Sequence, residues 1–147
     1  MTYCDSSFLI ALFVVLDEFH GQAVKAARKF AEAIPYPLLA ELELTNGIRR
    51  AVASGRISRA EHDSVFRQIA ADQMSGILAR PGLNQGTHYA KARELSKRHT
   101  CSMSCRSLDI LHVAAALILG SKFFASFDER QRKIAAVEGM TLIPQNC

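Results

Sequence analysis

Short β-prone runs alternate with longer helical patterns in this sequence, and this alternation limits the possible folds more than any other feature. The runs are residues 2–4, 122–126 and 140–143, the last of them directly before Pro144. Parallel strands need a crossover between them, usually a helix, so this order predicts a mostly parallel sheet. We therefore expect an α/β three-layer sandwich, a mostly parallel central β-sheet with helices on both faces.

The segments between these runs have the apolar spacing of helices. Leu44, Ile48 and Val52 recur every four positions, and Ser58 and Glu61 have the spacing of a capping box. The predicted helices cover about residues 8–16, 21–33, 38–53, 58–75, 87–98 and 107–119, and another begins near Asp128. The chain has 147 residues, a usual size for one domain, so we expect residues 1–147 to form a single domain.

Composition excludes several classes of protein and leaves the partner open. The apolar run at residues 8–16 has about half of the roughly 20 residues that a membrane-spanning helix needs, and no basic segment precedes it. We expect a cytoplasmic protein with no membrane segment. The four cysteines lie at positions 4, 101, 105 and 147, a scatter that favours reduced thiols over disulfides or zinc. The net charge of +4 suits a polyanionic partner, and equally suits simple solubility.

Acidic residues stand at the boundaries of the predicted elements. Asp5 and Asp128 each follow a β-prone run and open a helix, where the carboxyl ends of parallel strands form a crevice. Each would also serve simply as a helix cap. Asp109 lies in the first turn of an apolar helix, where burial requires a cation or hydrogen bonds to meet it. Glu41 and Glu43 lie about 200° apart around one helix, so only one of them can face a shared pocket.

Four motifs resemble the PIN-domain family. They occur in the family's order over nearly the whole chain, and the length is similar to that of the VapC-type toxins of bacterial toxin–antitoxin pairs. Ser126 stands where the family usually has Thr, a replacement that keeps the hydroxyl. The motifs are Asp5-Ser6-Ser7, Glu43-Leu44-Thr45-Asn46, Ser107-Leu108-Asp109-Ile110-Leu111-His112-Val113-Ala114 and Ser126-Phe127-Asp128.

The resemblance implies a metal-dependent endoribonuclease that hydrolyses phosphodiester bonds in RNA, the toxin of a toxin–antitoxin pair. Two carboxylates about 5 Å apart repel by roughly 3 kcal/mol at an effective dielectric near 20, and a divalent cation relieves this. The implied cofactor is Mg²⁺ or Mn²⁺, which oxygen ligands do not distinguish. The implied catalytic residues are Asp5, Glu43, Asp109 and Asp128, with Asp5, Asp109 and Asp128 as metal ligands and Ser6, Asn46 and Ser126 in support.

The expected partners are an RNA substrate, a cognate antitoxin protein and a second copy of the chain in a homodimer. The antitoxin and the homodimer are implied by the resemblance alone. Arg49, Arg50 and Arg106 are the candidates for contact with RNA phosphates, although each would equally suit a solvated helix face.

Two other functions remain possible on this sequence. An aspartate-nucleophile phosphohydrolase also places Asp after its first strand, but it requires a second Asp two residues later, where this chain has Ser7. A non-catalytic interaction module would keep the fold without the chemistry.

Overall fold

Strands and helices alternate along the chain, as predicted. The computed structural model describes residues 1–145, and within them it contains seven helices and five short strands. In chain order they are β1 (Thr2–Cys4), α1 (Ser6–Phe13), α2 (His20–Ala27), β2 (Ile34–Pro35), α3 (Leu38–Ala53), α4 (Arg59–Met74), β3 (Leu78–Ala79), α5 (Gln85–Met103), α6 (Ser107–Ile118), β4 (Phe123–Ala125), α7 (Glu129–Val137) and β5 (Thr141–Ile143).

Every strand pairing is parallel, which confirms the predicted kind of sheet. β4 lies between β1 and β5, with Phe124 opposite Tyr3 on one side and opposite Leu142 on the other. β2 and β3 form a second parallel pair, in which Ile34 lies opposite Leu78, and β2 contacts β1. The carboxyl ends of β1 and β4 therefore lie side by side, and the chain continues from them into Asp5 and Ser126.

The sheet separates two apolar cores, one on each face. Tyr3 stacks on Phe124 with ring centroids 5.7 Å apart, and both belong to the core formed with α5, α6 and α7. Cys4 and Ala125, the next residues along their strands, belong to the other core, with α1, α3 and part of α2. Successive strand residues point to opposite faces. This arrangement confirms the three-layer α/β sandwich.

Several predicted boundaries were wrong. α1 ends at Phe13 because Val14, which is β-branched, adopts an extended backbone with φ −99° and ψ 102°. α2 ends six residues before the predicted position, at Ala27. α5 is longer than predicted, since Asn84 caps it by accepting from the Thr87 amide, and it continues to Met103. β2 and β3 were not predicted at all.

The capping box at Ser58 and Glu61 was predicted correctly. The Ser58 hydroxyl accepts from the Glu61 amide, and the Glu61 carboxylate accepts from the Ser58 amide. No helix within residues 1–145 is long and apolar enough to cross a membrane. Cys4, Cys101 and Cys105 are free thiols, and Cys147 lies outside the described residues.

Candidate active site

Three of the four predicted acidic residues, Glu43, Asp109 and Asp128, line one cleft of about 330 Å³. They reach it from α3, from the first turn of α6 and from the residue before α7. We call this space the acidic cleft. Its lining residues are Ser6, Ser7, Ile10, Glu43, Arg106, Ser107, Leu108, Asp109, Asp128 and Gln131.

Asp5 is fully buried and is not part of the cleft lining. Its Oδ1 accepts from the Phe8 amide at 2.9 Å, so Asp5 caps α1. The Ser7 hydroxyl lies 2.8 and 2.9 Å from its two oxygens, and the Ser126 hydroxyl donates to Oδ2 at 2.8 Å. Burial raises the pKa of Asp5, although the charge of His112 and these hydrogen bonds oppose the shift.

The two serine hydroxyls connect Asp5 to the loop after β4. Ser7 Oγ accepts from the Phe127 amide at 2.9 Å, and Ser126 Oγ accepts from the Asp128 amide at 2.9 Å. Ser7 and Asp128 both line the acidic cleft. Asp5 is therefore one hydrogen bond below the cleft, through Ser7, and two below Asp128, through Ser126.

Asp128 is a helix cap as well as a cleft residue. Its Oδ1 accepts from the amides of Arg130 and Gln131 at 2.8 and 3.1 Å, in the first turn of α7. These bonds fix the direction of the carboxylate and place it at the positive end of the helix macrodipole. Asp128 is therefore both the cap of α7 and a residue of the cleft lining.

Glu43 is held by a buried pair of side chains. His112, with no exposed surface, lies with Nε2 2.5 Å from Glu43 Oε2 and with Nδ1 2.9 Å from the Tyr3 hydroxyl. Burial acts to raise the pKa of Glu43, but the hydrogen bond and charge of His112, together with the Ser6 hydroxyl, leave it below its ordinary value. Glu41 instead pairs with Arg80, so Glu43 is the residue that faces the cleft.

Asp109 is only 5% exposed, yet it lines the cleft. Its Oδ2 accepts from the Arg106 amide at 3.0 Å, which satisfies the free amide before α6. Arg106 is the residue that precedes this helix as its cap. The Arg106 side chain also lines the cleft, where it is the one cationic residue among the lining residues.

Not all the predicted supporting residues meet in the cleft. Asn46 and Arg49 are exposed and do not line it, and the Arg49 guanidinium lies 5.0 Å from the centre of the Phe66 ring. Arg50 lines a neighbouring groove of about 360 Å³ together with Arg56. Because Ser7, Ile10 and Asp128 line both spaces, the groove continues directly from the acidic cleft.

Sequence reasoning missed three features of the site. The first is Ser7, which lies beside the predicted Ser6 but holds Asp5; the second is the cleft residue Gln131. The third is Arg132, only 9% exposed, which donates to the Ser126 carbonyl at 2.9 Å and to the Pro144 carbonyl at 2.8 Å. The only signal in the sequence was proximity to predicted site residues: Ser7 is one residue from Ser6, and Gln131 and Arg132 are three and four residues from Asp128.

The donor atoms of the cleft suit a hard divalent cation. Within residues 1–145, no three His, Cys, Asp or Glu side chains are arranged to hold one ion together. The cleft is nevertheless lined by Glu43, Asp109 and Asp128, whose carboxylate oxygens are the ligands that such an ion prefers. Mg²⁺ binds through one or two carboxylates while keeping several waters, and Mn²⁺ prefers the same oxygen ligands.

The fold and the cleft together define an α/β protein with acidic side chains gathered at the carboxyl edge of a parallel sheet. The family model of the PIN domain matches residues 2–137, so the chain belongs to the PIN-domain family. No curated protein matches the sequence.

A solved structure confirms the fold independently. The chain is similar to VapC20 of Mycobacterium tuberculosis, a toxin described as cleaving the sarcin–ricin loop, with 18% sequence identity. The alignment covers 90% of this chain and 94% of that one, with a TM-score of 0.70.

Proposed function

We propose that this chain is a Mg²⁺- or Mn²⁺-dependent endoribonuclease of the VapC type, a single-domain toxin that hydrolyses phosphodiester bonds in RNA in the cytoplasm. The observation that supports this most is the convergence of Glu43, Asp109 and Asp128 on one cleft, directly above the buried Asp5, in a PIN-domain fold. The similarity to the VapC20 toxin agrees with it.

The proposed metal ligands are Asp5, Asp109 and Asp128. A bound divalent ion lowers the pKa of water and neutralises charge that develops on the phosphate. Asp109 and Asp128 present carboxylates whose directions are fixed by backbone amides. Asp5 is fully buried and bound by the Ser7 and Ser126 hydroxyls, so its coordination of the ion requires these two side chains to rearrange.

Glu43 is the proposed proton acceptor for the attacking water. His112 and Ser6 keep the pKa of its carboxyl below the ordinary value, so the carboxylate stays ionised at neutral pH. The bond from His112 Nε2 fixes its direction. Its fixed position in the cleft suits the removal of a proton in the transition state, while the lowered pKa makes it a weaker base than an ordinary Glu.

The proposed contacts to the RNA backbone come from Arg106 in the acidic cleft and from Arg50 and Arg56 in the groove beside it. Arg49, at the neighbouring surface, is a weaker candidate because its guanidinium packs over Phe66. Phosphate contacts of this kind make binding salt-dependent and insensitive to base sequence.

We also propose a cognate antitoxin and a homodimer as partners. Leu16, 66% exposed, lines the groove beside the acidic cleft, which gives an antitoxin segment an apolar contact next to the active site. Leu38, Leu42 and Tyr89 are each more than half exposed and line a separate space of about 290 Å³. Light scattering should report a dimer for the wild-type chain and a monomer for Leu42→Glu.

RNA cleavage by the purified protein tests the proposed activity. Cleavage should stop in EDTA and return with Mn²⁺, and Asp109→Asn should lower the single-turnover rate by about 100-fold or more, because it removes charge stabilisation in the cleft. Asp63→Asn, an exposed Asp on α4, is the matched control and should cleave at the wild-type rate.

The proposal fails if cleavage persists in EDTA or if Asp109→Asn cleaves as fast as Asp63→Asn. If the protein neither binds Mn²⁺ nor cleaves RNA, a non-catalytic interaction module becomes the better interpretation.

A further inference from the structure

A cavity of about 600 Å³ lies between α2 and β5, the strand at one edge of the sheet. Thr2, Phe123 and Thr141, the first residues of β1, β4 and β5, lie side by side in register along its wall. The acidic cleft lies beyond the carboxyl ends of β1 and β4, and the two spaces share no lining residue. This second space, which we call the β5 cavity, is therefore separate from the proposed active site.

The wall of the β5 cavity is mainly apolar. Phe123 is 39% exposed, although it is a large aromatic residue within a strand. It lies two residues before Ala125, so it belongs to the same face of the sheet, the face covered by α1 and α3. Phe30 and Leu142, which also line the cavity, are partly exposed. A mainly apolar cavity of this volume is within the usual range for small-molecule sites, about 300–1,000 Å³.

Two lysines give this apolar cavity a positive charge. Lys25, on α2, and Lys29, two residues beyond the end of α2, both line the cavity and are exposed. Within residues 1–145, neither lysine pairs with a carboxylate, and no Asp or Glu lines the cavity. Glu32, the next acidic residue along the chain, pairs with the Met1 amino group at 2.8 Å. The charge of the two lysines is therefore available to an anion.

The composition of the wall decides what the occupant must offer. Apolar surface favours a ligand that removes its own apolar surface from water, and ammonium groups donate hydrogen bonds only to acceptors. A neutral apolar molecule would leave the lysines unused. A nucleic-acid strand carries a charge on every phosphate, whereas the cavity offers two cations beside an apolar wall. A small molecule with an apolar body and one acidic group matches both parts of the wall.

We propose that the β5 cavity binds a small amphiphilic anion, with its apolar body against Phe123 and its acidic group between Lys25 and Lys29. The site is independent of the proposed nuclease chemistry, because none of its residues lines the acidic cleft.

Two fluorescent probes separate the charge from the apolar contact. Anilinonaphthalene sulfonate has an aromatic body and one sulfonate group, and phenylnaphthylamine has the same body without the charge. The double variant Lys25→Gln/Lys29→Gln removes both cations from the cavity. Lys97→Gln/Lys122→Gln is the matched control, since it makes the same change in net charge at two exposed positions outside the cavity lining.

We expect the Kd of the anionic probe to rise about fivefold in Lys25→Gln/Lys29→Gln, because exposed ion pairs each contribute modestly to binding. The Kd of the neutral probe should stay unchanged, and the control should bind both probes as wild type does. Phe123→Thr, which keeps a β-branched residue in the strand, should weaken the binding of both probes because it removes apolar surface. If Phe123→Thr does not fold, the lysine variants, which change only exposed side chains, still decide the result.

Equal affinity of the anionic probe for the two lysine double variants would overturn the inference. An equal loss of affinity for both probes would also overturn it, since the lysines would then act on the shape of the cavity and not on a charge. If Lys25→Gln/Lys29→Gln weakened the binding of single-stranded RNA but not of the anionic probe, the surface would belong to RNA and the inference would be wrong. All these measurements are made in EDTA without cleavage, so they neither depend on the proposed function nor test it.

Discussion

The Tyr3–His112–Glu43 chain of hydrogen bonds predicts a large and coupled effect on stability. His112→Leu fills much of the same space but removes both ring nitrogens. The Tyr3 hydroxyl then loses its buried partner, and Glu43 loses the bond that fixes its carboxylate. His112 has no exposed surface, so water does not readily replace either contact.

The structure sets the expected magnitude. A buried donor left unpaired costs about 1–3 kcal/mol, and a hydrogen bond to a charged group contributes about 1.5–3 kcal/mol. Glu43 is partly exposed, with 23% of its side chain accessible, so the lower part of the second range applies. We expect His112→Leu to lower the free energy of unfolding by about 3 kcal/mol. A domain with roughly 5–15 kcal/mol of stability remains folded after such a loss.

A double-mutant cycle with Tyr3→Phe isolates the buried contact. Tyr3→Phe alone leaves His112 Nδ1 without its partner and should cost about 1–2 kcal/mol. In the His112→Leu background the same change removes an unpaired hydroxyl, so it should be neutral or stabilising. The coupling energy between the two sites should therefore be about 1–2 kcal/mol.

The cycle compares wild type, His112→Leu, Tyr3→Phe and the double variant by urea unfolding at pH 7 in EDTA. Their free energies of unfolding give the coupling energy with no contribution from metal or RNA. A common urea slope would show that the substitutions change stability and not the extent of unfolding. Additivity of the two substitutions within about 0.5 kcal/mol would refute the reasoning, because contacting residues in one network should couple.

Three further predictions concern other parts of the structure. Asp5→Asn should abolish cleavage yet remain folded by circular dichroism, because the neutral amide avoids the cost of burying a charge, which is also what raises the pKa of Asp5. Cleavage at the wild-type rate would exclude Asp5 from the mechanism. Arg132→Met should lower the urea midpoint through a loss of about 2–4 kcal/mol, and Arg132→Lys should rescue little because one ammonium cannot reach both carbonyls; full rescue by Lys would contradict this. Hydrogen bonds from the Ser58 amide and hydroxyl hold the pKa of Glu61 below its ordinary value. Glu61 therefore stabilises the fold above that ordinary value, and the effect is lost as the pH falls through the lowered pKa. The gap in unfolding temperature between wild type and Glu61→Ala should accordingly close on acidification, and a constant gap would exclude ionised Glu61 as its cause.

The sequence predicted best those features that depend on local interactions. Asp128 and Ser58 were identified as helix caps because a cap requires only the next three residues. The parallel sheet followed from the order of elements. β2 and β3 were missed because each has two residues, and Pro35 and Pro37 resemble a break more than a strand.

Features that depend on distant partners were beyond prediction. Glu41 and Glu43 are alike in sequence, and the choice between them is made by Arg80, 39 residues away, and His112, 69 residues away. Likewise, nothing local distinguishes Gln131 from any other glutamine at the start of a helix, because only the folded structure places it in the lining of the cleft.

Because β1 pairs with β4, the acidic cleft joins residues that the ribosome makes at very different times. Asp5 is synthesised more than a hundred residues before Ser126 and Asp128. Domains assemble during synthesis only as their parts become available. A nascent fragment that ends before β4 has three strands and six helices, but it has neither the partner strand of β1 nor the loop that completes the cleft. Whatever chemistry the cleft performs, the growing chain has none of it until residue 128 has left the ribosome.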